Sequence, residues 1–199
     1  MTTSAGLPYS RLGLSKRDLI SEDGMIKHVL LQSRLEENLE RLDAGIPLNI
    51  LFKSCPKDEL RKKEKVLESD TRTIEASPVD FCILSRMCWG RAMAALQSKP
   101  GFTTGIAVGI NCDEDWHPLF QHLLREYKRG CDIDFRSFDG SVQVWMLKWA
   151  CWILSELSGL DHQRGCVLFQ ALAFSWHQLG CIQYSVHGCM PSGTSATSV

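Results

Sequence analysis

Three strings in this chain carry side chains that could do chemistry on a phosphate ester. The first, CDIDFRSFDGS at residues 131–141, holds Asp132, Asp134 and Asp139. Alternate side chains of a strand share a face, so a strand over 131–135 turns Asp132 and Asp134 one way and sends Ile133 and Phe135 to a core. Two carboxylates side by side are hard oxygen donors suited to Mg2+ or Mn2+, ions that keep water or phosphate oxygens in their remaining positions. Asp139 lies past the strand end, where it can meet the sugar end of a nucleotide held by the same ion. The second string, MPSGTSATS at 190–198, offers the Ser192 hydroxyl and the bare backbone of Gly193, which lets a ligand or another chain segment come close. Thr197, one helical turn further on, would point back to that bend. The third string, KDELRKKEKVLESDTRTIEAS at 57–77, sets Lys57, Arg61, Lys62, Lys63, Lys65 and Arg72 among acids. Lysine and arginine grip phosphate oxygens through charge-assisted, forked hydrogen bonds. Each string also has an ordinary reading: a solvated strand edge, a turn before a helix and a solvated charged face.

The elements that must position these groups are legible in outline. Residues 1–20, rich in Ser, Thr and Gly with weak periodicity, read as an irregular, loosely held lead-in. Apolar residues recur at helical spacing over 25–42, with Gly45 as C-cap, and again over 78–97 before Pro100 and Gly101. A short strand is expected at 49–52, and short extended arms around Lys65 and over 72–76. After the glycine-rich 101–109, a helix follows over about 113–127 with Asp113 capping its first turn. A helix over 142–157 carries Trp145, Trp149 and Trp152 on one greasy face, where large aromatics supply buried area. Asp161 caps a helix running through Leu179, Gly180 turns the chain, and 181–186 is a strand. Helices and strands mix without regular βαβ alternation, so the fold class is α+β.

With 199 residues, 44% of them hydrophobic, the chain can bury a real core. Its 22 basic and 23 acidic residues nearly cancel, so any grip on a polyanion must come from local patches. The nine cysteines include no C-x-x-C pair and sit in apolar surroundings, as expected of buried thiols in a reducing compartment. A zinc site from Cys181, His187 and Cys189 lacks a fourth ligand. No apolar run approaches the ~20 residues of a membrane span, and residues 1–20 lack the pattern of a signal peptide. The expectation is a soluble chain, unexported by its own signals. Residues 192–199 stop before any cap, the pattern of an element cut short.

Basic stretch, aspartate strand and serine-glycine bend, in this order, resemble the RNA-dependent RNA polymerases of picorna-like positive-strand RNA viruses, over about residues 55–199. CPKDELRKKEKV followed by TRTIEAS is similar to the finger motif that grips the incoming triphosphate; the resemblance implies that Lys57, Arg61, Lys65 and Arg72 contact triphosphate or RNA phosphate and that Glu75 braces the arginines. FTTGIAVGIN resembles the lead into the palm. CDIDFRSFDG is similar to the first palm motif, with Asp134 as catalytic metal ligand and Asp139 sensing the ribose 2'-hydroxyl. MPSGTSATS resembles the second palm motif, with Ser192 and Gly193 as a mobile loop and Thr197 supporting Asp139.

The resemblance further implies a partial right hand: fingers over 1–87, palm over 88–173, a return to the fingers over 174–187 and the start of the second palm motif at 188–199. It implies two-metal nucleotidyl transfer with Mg2+ or Mn2+, in which the primer 3'-oxygen attacks the α-phosphate and pyrophosphate leaves. RNA template and primer, nucleoside triphosphates and other viral replication proteins are the implied partners, in host cytoplasm at membrane-associated replication complexes. No sequence-specific DNA binding is implied. Three departures stand out: Arg136 is larger than the small residue expected there, the N-terminal finger region is short, and the Gly-Asp-Asp hairpin and thumb are missing. A chain with these gaps is expected to be inactive alone. Two other readings stay open. An aspartate-dependent phosphohydrolase would use Asp132 and Asp134 as nucleophile and acid, although Lys128, Arg129 and Gly130 precede them where an apolar run is expected. A non-catalytic RNA-binding viral remnant would use the basic patches alone. The polymerase reading requires Asp134, Ser192 and Arg72 to converge on one cavity.

Overall fold

The computed structural model describes residues 4–68, 72–98, 104–126 and 128–194. A four-stranded sheet forms one layer, and helices pack on it. Its strands are β1 (Leu51–Pro56), β2 (Thr73–Ala76), β3 (Phe174–Leu179) and β4 (Ile182–His187), in spatial order β2-β1-β3-β4. β1 pairs antiparallel with β2 and parallel with β3, and β3 forms an antiparallel hairpin with β4 through Gly180. The helices are α1 (Lys16–Leu19), α2 (Val29–Ala44), α3 (Lys63–Leu67), α4 (Val79–Gln97), α5 (Trp116–Glu126), α6 (Phe138–Ser141), α7 (Val144–Ser158) and α8 (His162–Ala173).

α2 and α4 form where helical apolar spacing predicts them. His28 caps α2 by accepting from the Leu30 N–H, and Gly45 closes it in the left-handed region at φ 70°. The main core joins Leu35 and Leu42 of α2, Phe52 of β1, Phe81, Leu84, Trp89 and Met93 of α4, Cys151 and Leu154 of α7, and Leu168 and Leu172 of α8. Trp89, fully buried, donates its indole N–H to Ser155 Oγ at 3.2 Å, so the largest core side chain leaves no polar atom unmatched. Asp80 on α4 is also fully buried. It accepts from Arg34 Nε at 3.1 Å and Asn38 Nδ2 at 3.0 Å, tying α4 to α2.

Burial pushes the Asp80 carboxyl above its usual range, against the pull of Arg34. An acid whose folded-state pKa is raised adds stability that is full below the unfolded carboxylate range and is lost as pH climbs through the folded value. Wild-type stability relative to Asp80→Asn should therefore fall as pH rises across that window. Urea midpoints of both proteins from acid to neutral pH measure it, and a difference that grows with pH would contradict the burial argument.

Several sequence expectations are corrected. The lead-in is held firmly: Tyr9 and Leu19 are fully buried with Leu31 and Val79, because irregularly spaced apolar side chains still find a hollow between α2 and α4. The segment around Lys65 is the short helix α3 and not an extended arm, whereas 73–76 is strand β2. β1 begins at Leu51 and runs on to Pro56, beyond the expected 49–52. α5 starts at Trp116, and Asp113 lies ahead of it in a turn, its N–H bonded to Asn111 Oδ1. α8 is capped by Asp161 as expected but ends at Ala173, and 174–179 is strand β3. Pairing on both edges, with β1 and with β4, outweighs helical propensity there.

Residues 131–135 form no strand. Among the described residues no strand lies beside them to complete a ladder, and Ile133 and Phe135 are exposed. The three tryptophans of α7 are exposed as well, at 48–60%, because Leu147, Cys151 and Leu154 form the face that packs inward. Of the nine cysteines, all free, Cys151 alone is buried.

Candidate nucleotide site

Three segments distant in sequence close around a cavity of about 210 Å3. β2 supplies Thr73 and Glu75, the first turn of α6 supplies Asp139 and Gly140, and the chain after β4 supplies Cys189, Met190, Pro191 and Ser192. Ser175, His177 and Tyr184 of the hairpin form its floor.

Backbone hydrogen bonds bring the last two segments together. Past β4 the chain reverses through Gly188 at φ 78° and Cys189 at φ 58°. That reversal lets Gly188 N–H reach Ala173 O at 2.8 Å, Cys189 N–H reach Val142 O at 2.7 Å and Met190 N–H reach Asp139 O at 2.8 Å. The Asp139 turn and the Ser192 bend thus become one wall. On the other side, Glu75 N–H donates to Ser192 Oγ at 3.2 Å, and Gly193 bridges in parallel to Ala76. A Cβ on Gly193 would lie 2.1 Å from Glu75 O, so only glycine fits this approach.

Beneath Ser192 lies a polar network. Glu75 Oε2 is 2.7 Å from His177 Nδ1 and accepts from Ser54 Oγ. Ser54 Oγ is 2.8 Å from Tyr184 Oη, and Ser175 Oγ is 2.7 Å from His177 Nε2. The imidazole stacks between Phe52 at 5.3 Å and Tyr184 at 5.4 Å. Burial by itself would raise the Glu75 pKa, but the hydrogen bonds from His177 and Ser54 overcome it and hold the carboxyl below its usual range.

The basic stretch forms a separate cluster around Glu59. Lys57 Nζ at 3.0 Å, Arg61 Nε at 2.7 Å and Arg72 Nη1 at 3.7 Å all converge on its carboxylate, whose pKa the Lys57 and Arg61 contacts lower. Lys57 N–H also donates to Arg72 O at 2.8 Å, joining the end of β1 to the start of β2. Three cations on one carboxylate leave a net positive patch beside Thr73, the cavity residue that follows Arg72. The brace expected from Glu75 is therefore supplied by Glu59, because Glu75 faces the sheet interior and is taken by His177. Lys65 lies on α3.

Of the expected site residues, the cavity gathers Glu75, Asp139 and Ser192, with Gly193 packed directly behind. Asp134 is exposed on the loop before α6 and is not among the cavity-lining residues, so the expected convergence of Asp134, Ser192 and Arg72 on one hollow is not met. Thr197 lies outside the described residues. Among the described residues no three His, Cys, Asp or Glu side chains group as metal ligands. That leaves Asp132 and Asp134 as donors without a third partner, and it removes the zinc possibility at Cys181, His187 and Cys189. A phosphohydrolase loses its premise too, since a nucleophilic aspartate needs a buried strand end and 131–135 is exposed loop. Glu59, His177, Ser54, Ser175 and Tyr184 were not singled out by sequence. Glu59 sits inside the KDELR string, where its spacing from three cations was the available signal.

Comparison with known proteins shows the family even though Asp134 and Arg72 do not line the cavity with Ser192. The sequence profile of the viral RNA-dependent RNA polymerase family matches residues 1–199. The chain is 42% identical over 203 aligned positions to the genome polyprotein of human hepatitis A virus genotype IA (isolate GBM), and equally so to that of avian encephalomyelitis virus (strain Van Reokel), covering 100% of this chain and 9% of each polyprotein. Its fold matches the sicinivirus 3Dpol RNA-dependent RNA polymerase with a TM-score of 0.79 at 29% identity, over 96% of this chain and 40% of that one. The α+β fold is thus that of part of a picornaviral polymerase, and a profile match along the whole length agrees with it: the chain belongs to the viral RNA-dependent RNA polymerase family.

Proposed function

We propose that this chain is the fingers and first palm portion of an enzyme that copies RNA from an RNA template. The observation that carries the reading is the cavity in which Asp139 and Ser192, from two separate motifs, meet, with the basic cluster of Lys57, Arg61 and Arg72 linked to it through Thr73, the lining residue that follows Arg72. A carboxylate acceptor and a hydroxyl in one small hollow complement a ribose hydroxyl, and the cations next to it complement a triphosphate. RNA would be held by backbone charge and shape, its sequence read by template pairing. Fingers over 1–87 and palm over 88–173 remain our division, though α4 crosses residue 87 without a break.

In this reading Asp134 offers a carboxylate to divalent metal, Mg2+ or Mn2+, two ions of which would assist nucleotidyl transfer in the complete enzyme. The described residues supply too few donors to hold such a pair, so we expect the chain alone to be inactive. Template, primer and nucleoside triphosphates are the proposed ligands, and other viral replication proteins the proposed partners, at membrane-associated complexes in host cytoplasm. Among the described residues no helix is long and apolar enough to cross a membrane.

Primer extension on a homopolymeric RNA template by the full-length polymerase carrying this chain tests the reading. Asp134→Asn should lower incorporation by ~10²-fold or more, the scale of losing one charged group at a reacting centre. Equal incorporation by both proteins would remove the role given to Asp134.

A further inference from the structure

The network under the cavity has a direction, and Glu75 sets it. An ionised carboxylate only accepts hydrogen bonds, so Ser54 Oγ–H and His177 Nδ1–H must both donate to Glu75 Oε2. With its hydrogen committed, Ser54 Oγ accepts from Tyr184 O–H. With Nδ1–H committed to Glu75, His177 pairs through Nε2 with Ser175 Oγ. Donors from β1, β3 and β4 therefore converge through two chains on one side chain of β2, and the N–H of that same residue holds Ser192.

Burying this polar set is costly unless every member is satisfied. His177 is 3% exposed and Ser175 2%. Apolar residues beside Phe52 would cover the same area at lower cost. What they would not provide is a fixed carboxylate, and hence a fixed Glu75 backbone, on the strand against which Ser192 and Gly193 dock.

We propose that His177 is a positioning residue for the nucleotide side of the cavity, acting through Glu75 to fix the Ser192 hydroxyl on the wall it shares with Asp139. The inference rests on the polymerase reading. His177 need not touch the nucleotide; it sets where a hydroxyl that does so is held. Its loss should weaken nucleotide capture more than the chemical step.

Steady-state primer extension by the full-length polymerase, with nucleoside triphosphate concentration varied, tests this. His177→Phe keeps the stacking between Phe52 and Tyr184 but removes both hydrogen bonds; KM should rise about fivefold, the scale of one lost hydrogen bond, with kcat changed by less than about twofold. His177→Gln, whose amide can still donate to Glu75, should recover most of the KM. Adding His177→Phe to Glu75→Gln should raise KM no further, because both act along one path. Should His177→Phe fail to fold, Ser175→Ala removes only the outer partner of His177 and should raise KM about twofold. A wild-type KM in the folded variants, effects of Glu75 and His177 that multiply, or losses of kcat that merely follow thermal stability would overturn the proposal. A wild-type polymerase that extends no primer, or one indifferent to Asp134→Asn, would instead overturn the underlying reading.

Discussion

Trp89→Ala should destabilise this chain by about 3–5 kcal/mol, the range for emptying a fully buried large aromatic site. Trp89 is wholly enclosed in the core shared by α2, α4, α7, α8 and β1. Truncation removes its buried surface, leaves a cavity lined by residues of several elements, and strips Ser155 Oγ of the indole N–H at 3.2 Å. Collapse into the space is restricted from the α8 side: a Cβ on Gly165 would already lie 2.8 Å from Ser155 Oγ, so the Ser155 side chain is packed against the α8 backbone. A domain of this kind has roughly 5–15 kcal/mol in hand. The variant should consequently unfold at a much lower urea concentration with an unchanged slope, near-UV and far-UV circular dichroism giving the same midpoint. A midpoint shift worth less than about 1 kcal/mol would mean that the core repacks around the gap.

Gly193→Ala should have the larger effect on function. The added methyl would sit 2.1 Å from Glu75 O and 3.2 Å from Ala76 Cα. Those atoms belong to β2, whose backbone is fixed by its ladder to β1, so the bend at 192–193 must yield. Once it moves, Ser192 Oγ leaves the Glu75 N–H and its distance to Asp139 changes. Strain of about 1–3 kcal/mol, typical of an overfilled contact, corresponds to a rise in nucleotide KM of roughly five- to 150-fold in the full-length enzyme. Global stability should change far less, since Gly193 packs at the sheet edge and not in the main core. Hydrogen exchange gives a second readout: the Glu75 amide should lose protection while amides in α4 keep theirs. Retained protection at Glu75 would show that the bend absorbs the methyl in place.

How far the sequence foretells this structure depends on what each element buries. α2 and α4 are visible because their inward residues are apolar and recur every three or four positions. β3 is hidden for the opposite reason. Its inward side chains are Ser175 and His177, its outward ones Phe174 and Trp176, so hydrophobic alternation points to the wrong face and the segment reads as the end of α8. Glu75, about a hundred residues earlier, makes a buried histidine tolerable there together with Ser175. The α7 tryptophans mislead similarly: residue type suggests interior, but the helix has a second apolar face that packs inward. Asp139 and Ser192 are each picked out by motif resemblance, but their meeting in one cavity was not foretold. Nor was the place of Asp134, because a carboxylate's position depends on a strand ladder that 131–135 does not form. The helix α3 in place of an extended arm shows the same limit, as five residues of mixed charge carry little periodic signal.

The parallel register of Leu51 with Trp176 also governs how the molecule can be made. β1 leaves the ribosome early, but its inner neighbour follows only after α4, α5, α7 and α8 have been translated. Until then one edge of the nascent hairpin β1–β2 has nothing to pair with and must be kept from joining other chains. Helical contacts between α2 and α4 can form during that wait, because they need only nearby segments. The sheet centre, and with it the cavity floor of Ser175, His177 and Tyr184, forms only once β3 has been made, so a chain stopped upstream of β3 would lack that floor.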